Sequence, residues 1–274
     1  MSLGGWSIGP SLLYVAFAGL LYWLGGLGRR RRRADDWVRT AAFVGGLVTI
    51  VVALDSPIDR YAEQLFWVHM LQHVLLLTVA PPLILLGRPW PRMWRGLPLQ
   101  WRTNVGRRIA RGRVGIPVRA LARPLPAWLL FNVTLIAWHV PGAYEATLRS
   151  SAVHQVEHAM FFFTGLLFWA RVIDPGPLRP TLLWPMRIAY AIGAMIVGWG
   201  LAIALVLAPD PLYPHYAALT HRPGGISALT DQQLAAGVMW VLGSLSYGVA
   251  VLIGFYRWLE PEREPSPSRP LLTT

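Results

Sequence analysis

Of the chain's 274 residues, 54% are apolar and only 14% charged, against about 45–50% and about 25% in soluble domains. Too few charges remain to cover a water-facing surface of this size, and the apolar residues gather into long blocks, which excludes a soluble globular protein and a disordered one. With no cysteine and no lysine among the 274 residues, a disulfide scaffold, a thiolate metal site, a cysteine nucleophile, Schiff-base chemistry and a Walker-type phosphate loop are excluded as well.

Seven segments read as membrane helices, in chain order Pro10–Gly28, Val38–Leu54, Leu65–Gly87, Leu125–Val140, Val153–Ala170, Leu183–Ala208 and Gln232–Leu259. Each is near the roughly 20 residues that cross about 30 Å of hydrocarbon. In lipid the backbone must satisfy its own hydrogen bonds, and no alternating barrel pattern is present, so the segments are helical. The fold class expected is all-α, a single polytopic bundle of seven transmembrane helices over residues 1–260, followed by a disordered, Pro-rich tail over 261–274. The first segment has no positive charge before it and Arg29–Arg33 behind it, a stop-transfer pattern, so it reads as an uncleaved anchor.

Arginine placement sets the orientation. Alternate loops and flanks hold 22 of the 25 arginines, while the opposite side has only Arg60, Arg149 and Arg222. Positive residues stay inside, so the N-terminus is expected outside and the C-terminus in the cytoplasm. The basic excess is thereby a topology signal and not a nucleic-acid surface. In the most basic loop, Arg88–Arg123, Trp101, Val105 and Ile109 recur at helical spacing, as they would in a helix lying on the anionic inner leaflet; a solvated loop is the equal alternative.

On this topology all seven histidines fall in or near the outer half. His69 and His73 begin the third span, His139 ends the fourth, His154 and His158 open the fifth, and His215 and His221 lie in the last outer loop. The pairs His69/His73 and His154/His158 are spaced i, i+4, which places two imidazoles on one helix face about 6 Å apart. Such pairs close readily on one ion, and ionisable groups inside a span mark function. The expected metal ligands are therefore His69, His73, His139, His154 and His158. Imidazole suits copper, zinc and iron, and the thioethers of Met70, Met160 and Met239 in the outer parts of their spans favour Cu(I). Asp55 and Glu157 are expected to orient histidines or attract cations, Glu157 foremost because it adjoins His158. Interhelical hydrogen bonding for the histidines and plain packing for the methionines are the simpler alternatives. No H-E-x-x-H or G-x-S-x-G occurs, and no polar chain crosses the spans as a proton pump would need.

Several motifs in order resemble one family. They are Asp55-Ser-Pro-Ile-Asp-Arg-Tyr-Ala, His69-Met-Leu-Gln-His73, Ala80-Pro-Pro-Leu, Leu86-Gly-Arg-Pro89, Trp138-His139-Val-Pro-Gly-Ala-Tyr144, His154-x-x-Glu-His158 with Phe168-Trp169, and Asp231-Gln-Gln with Gly237-x-Met-Trp240. Over roughly Val38–Tyr256 the chain resembles the multi-spanning CtaG family of cytochrome c oxidase assembly factors, distinct from the single-span copper chaperone that shares the name. The resemblance implies a multi-pass protein of the bacterial plasma membrane, not an enzyme, that matures a caa-type haem-copper oxidase by helping copper reach its subunits. Two other classes stay open. A haem-binding electron-transfer protein would use one histidine from each of two helices as axial ligands. A membrane hydrolase would use histidine-bound zinc, with Glu157 or Asp55 as base.

Overall fold

The computed structural model describes residues 9–27, 36–111, 115–175 and 182–260. Arg29–Arg33, Arg113, Arg179 and the tail from 261 onward lie outside the described residues. Among those described, the chain is helical throughout, without strands. Five helices are long and apolar enough to cross a membrane: Asp36–Leu54, Phe66–Leu86, Ser151–Ile173, Trp184–Leu207 and Ala228–Leu259. Pro124–His139 and Pro141–Arg149 pass that test only as a pair bent by 74°. The first helix, α1 (Pro10–Leu24), is shorter, at 15 residues. The fourth expected span is thus a broken element. Pro141 has no N–H to continue the ladder and the preceding Val140 is extended, so the chain turns at His139–Val140.

Helix α2 (Asp36–Leu54) leads through a short α3 (Pro57–Ala62) into α4 (Phe66–Val74). A π turn at Leu75–Val79 joins α4 to α5 (Ala80–Leu86). The sequence explains the π turn. Pro81 cannot donate to the carbonyl four residues back, which belongs to Leu77, and a wide turn accommodates the missing bond. The orphaned Leu77 carbonyl accepts instead from the Trp169 indole N–H at 3.0 Å. Gly165 makes that approach possible, because a Cβ there would sit 2.9 Å from the same carbonyl.

The Arg88–Arg123 stretch folds as three short helices, α6 (Pro89–Gly96), α7 (Leu99–Arg111) and α8 (Gly115–Leu121). Arg92 fastens α6 under the first helices: its guanidinium donates to the Tyr22 hydroxyl at 2.6 Å and Thr40 Oγ1 at 2.8 Å, and lies 4.7 Å over the Tyr22 ring. The remaining elements are α9 (Pro124–His139), α10 (Pro141–Arg149), α11 (Ser151–Ile173), α12 (Trp184–Leu207), α13 (Pro214–Ala218) and α14 (Ala228–Leu259).

The α4–α5 span is the axis of the bundle, with 67% of it buried, and it packs against α2, α11 and α14; α12 covers α14, and α9 covers α11. By contrast α2, α12 and α14 bury only 17%, 22% and 17%. Their outer faces carry apolar residues such as Val48, Ile196, Leu245 and Leu252. An axis shielded by apolar helices that are themselves apolar outward is the arrangement lipid demands. Two buried layers result. Leu77, Phe131, Phe161, Phe168, Trp169 and Tyr247 form one, and Phe66, Met70, Tyr144, Leu205, Tyr213 and Tyr216 the other. The histidines lie between them, His73 against Phe161 with ring centroids 4.5 Å apart, and His69 against Tyr144 at 5.1 Å.

Candidate metal centre

The site forms where α4 and α11 begin and α9 ends. Side chains at i and i+4 share a helix face, and packing turns the His69/His73 face of α4 onto the His154/His158 face of α11. Ring centroids are 4.9 Å apart for His69–His154, 6.2 Å for His69–His158 and 5.8 Å for His73–His158. Between them stands Glu157, fully buried. Its carboxylate lies 3.7 Å from His69 Nε2, 3.6 Å from His73 Nε2 and 4.0 Å from His154 Nε2. Donor atoms of His69, His73, Glu157 and His158 all fall within 4.8 Å of one another. Glu157, expected beside a site, is therefore at its centre.

Neighbouring hydrogen bonds fix the imidazole chemistry. The Tyr216 hydroxyl donates to the Ala62 carbonyl at 2.6 Å, since a carbonyl can only accept. Burial holds that phenol above its ordinary pKa, so the proton stays in place. Its oxygen is then the acceptor for His69 Nδ1 at 3.1 Å, and Nδ1 carries the ring proton. His69 Nε2 is left with a lone pair aimed at a carboxylate. Neither atom has a hydrogen-bond partner, and the same is true of both nitrogens of His73, both Glu157 oxygens, His154 Nε2 and His158 Nε2. A buried polar atom without a partner is costly. Here unpartnered imidazole nitrogens and carboxylate oxygens gather within a few ångströms of one another, an arrangement that a shared cation would relieve. Ligands about 2 Å from one ion stand roughly 3–4 Å apart, so this set needs to close by only about an ångström.

Gln72, on the turn between His69 and His73, holds α4 in register by donating to the Ala53 carbonyl at 2.8 Å and Asp59 Oδ1 at 3.0 Å. Burial raises the Asp59 carboxyl above its ordinary value, with the Gln72 bond pulling the other way. Asp231 accepts from the Phe66 and Trp67 amides at 2.9 and 3.0 Å, satisfying the open N-terminus of α4 with a carboxylate from α14.

The remaining expected residues distribute unequally. His139 reaches the edge of the site, 5.8 Å from His73 by ring centroids, with its Nε2 3.2 Å from Met70 Sδ. Met239 lines a cavity with Met70, His73 and His139. Asp55 is buried but occupied elsewhere, accepting from the Gly9 amide at 3.1 Å and the Ser11 hydroxyl at 2.7 Å at the start of α1. Met160 is exposed on α11. His215 meets the Glu63 carbonyl at 3.2 Å, and His221 is exposed. Tyr216, Gln72 and the capping role of Asp231 were not read from the sequence. Asp231 and Tyr144 stood in quoted motifs, but nothing local marked Tyr216, which lies 147 residues from His69.

A family described as cytochrome c oxidase caa3 assembly factor matches residues 20–261. The chain belongs to that family. Curated relatives include uncharacterized proteins of Mycobacterium bovis and Mycobacterium tuberculosis, each 27% identical over 266 residues, covering 91% of this chain and 39% of theirs. A third, from Mycobacterium leprae, is 24% identical and covers 86% of this chain and 37% of its own length. The chain thus spans about two-fifths of the length of these relatives. No solved structure matches it.

One expected outcome follows from the tautomer. Tyr216→Phe removes the acceptor that holds the proton on His69 Nδ1, and such orienting partners are worth about 10–100-fold in metal affinity. Metal titration of the purified variant should show a loss in that range with its helical circular dichroism unchanged; unaltered affinity would mean that Tyr216 does not orient the ligand.

Proposed function

We propose that the chain is a non-catalytic assembly factor of the bacterial plasma membrane that holds copper on its His69–His73–Glu157–His158 cluster, with His154 beside it, and passes it to haem-copper oxidase subunits. The observation that carries this is the gathering of unpartnered imidazole nitrogens around a buried carboxylate. Family membership supplies the oxidase, and imidazole ligation suits copper. On this reading there are seven spans. α1 and the bent α9–α10 pair join the five long helices, the N-terminus is outside, and the site opens to the outer face where copper is received and released. The arginine asymmetry supports that orientation. The cavity beside the cluster is about 50 Å³, room for an ion or a few waters and not a porphyrin, so the haem alternative gains nothing from it.

Two measurements test the proposal. Reporter fusions should place Arg111 in the cytoplasm and His215 outside; Arg111 accessible from outside would overturn the orientation. Protein purified without a histidine tag and loaded with copper should retain about one equivalent or more after desalting. No copper above background would contradict the copper-holding role, and stoichiometric zinc in its place would favour the hydrolase.

A further inference from the structure

Beside the histidine–carboxylate cluster lies a cavity of about 50 Å³ whose walls carry a different donor set. Three of the chain's seven methionines, Met70, Met195 and Met239, line it from three different helices, together with His73 and His139. Met70 is fully buried, and both histidines nearly so. His139 Nδ1 is 2.7 Å from the Leu135 carbonyl, which can only accept, so Nδ1 holds the ring proton. The other nitrogen, Nε2, presents a lone pair to Met70 Sδ at 3.2 Å. Two electron-pair donors thus face each other with no hydrogen between them. The rest of the wall is mostly apolar, including Val74, Leu77 and Leu135, with Thr78, Trp199, Ser244 and Tyr247 its other polar-bearing residues.

We propose that Met70, Met195, Met239 and His139 form a second site, selective for a soft monovalent ion of the copper(I) and silver(I) class. Thioether sulfur and imidazole are ligands such an ion prefers, and neutral thioethers bring no negative charge to hold a divalent ion such as zinc. His73 belongs to both sites. Its ring lines the methionine cavity while its Nε2 lies 3.6 Å from Glu157, and its Nδ1 is buried without a partner. An ion can therefore pass between the sites by ligand exchange. A bond to Met70 or His139 breaks as one to Glu157 or His69 forms, the ring proton of His73 moves to the nitrogen the ion leaves, and the ion keeps its oxidation state. This inference rests on the copper-holding reading of the histidine–carboxylate cluster.

The test uses the full chain, untagged and in detergent, loaded anaerobically with Cu(I). X-ray absorption should show a sulfur shell near 2.3 Å, the usual metal–sulfur distance. Replacing all three methionines (Met70→Leu, Met195→Leu, Met239→Leu), volume-conserving changes that cores tolerate well, should remove that shell. The same variant should lose at least about tenfold in Ag(I) affinity, as expected for loss of soft ligands. Zn(II) added as a probe of the histidine–carboxylate cluster should bind unchanged. A shell of nitrogen and oxygen alone in the unmodified protein, which requires no variant to fold, would overturn the proposal, as would a sulfur shell that survives in the triple variant. If the sulfur shell is present but neither Zn(II) nor Cu(II) binds, the soft site stands and the reading of the histidine–carboxylate cluster falls.

Discussion

The variant carrying both His73→Ala and His158→Ala should insert normally and, on the proposed copper-holding role, bind copper far more weakly. A transmembrane bundle is held by packing and by interhelical hydrogen bonds worth roughly 1 kcal/mol each, and neither imidazole here makes a hydrogen bond through its Nε2. Their removal should leave membrane abundance unchanged. Two of the four convergent donors are lost. Orienting partners alone are worth about 10–100-fold in affinity, so losing two ligands should cost at least about 100-fold. In cells at native protein levels, activity of the dependent oxidase should fall accordingly, with partial rescue by added copper. Glu157→Gln should also weaken binding by more than an orienting partner would, because its carboxylate sits among the rings at 3.6 to 4.0 Å and not behind them. Normal oxidase maturation in the double variant would remove the support for copper handling and favour a scaffold role.

Asp231→Ala should give the largest loss of stability. The Asp231 carboxylate is fully buried and accepts from two backbone amides at the start of α4. Bonds to a charged acceptor contribute about 1.5–3 kcal/mol each, and the two amides would be left in an apolar layer beside Phe66 and Tyr213. A cost of about 3 kcal/mol corresponds to a drop on the order of 5–10 °C in the melting temperature of a protein this size. Metal affinity should fall with it, since α4 carries His69 one turn and His73 two turns farther on. Asp231→Asn keeps one acceptor oxygen and should lose about half as much. Thermal melts in detergent would measure both, and a melting temperature within 1–2 °C of the unmodified protein in Asp231→Ala would show that the cap does not position α4.

The long spans were legible in the sequence because hydropathy alone specifies them. Val38–Leu54, Leu65–Gly87, Val153–Ala170, Leu183–Ala208 and Gln232–Leu259 differ by at most four residues at any end from the helices Asp36–Leu54, Phe66–Leu86, Ser151–Ile173, Trp184–Leu207 and Ala228–Leu259. The bend after His139 was not expected, although Pro141 signals it. A short apolar run reads the same whether the chain ends a span or turns sharply within one. The π turn likewise had its cause in Pro81, but its consequence, a carbonyl handed to Trp169, depends on a helix 92 residues away. The i, i+4 histidine pairs were legible for the same reason as the helices: spacing fixes a shared face. What spacing could not reveal is what stands between the two facing pairs. It gave Glu157 no central position, left Tyr216 unseen and grouped His139 with the other histidines, whereas its Nε2 faces a methionine sulfur. Asp55 stood in a recognisable motif yet serves the start of α1, because a carboxylate at a helix end meets whichever backbone amides arrive there.

The most direct measurement is electron paramagnetic resonance of the untagged protein loaded with one equivalent of Cu(II). Convergence of His69, His73 and His158 around Glu157 should give a single bound species with nitrogen couplings from at least two imidazoles, and that species should be lost or reduced to fewer imidazole couplings in the His73→Ala, His158→Ala variant. A spectrum of free aqueous copper, or the same imidazole-coupled spectrum from the protein and its double variant, would contradict the assignment of the copper site to this cluster.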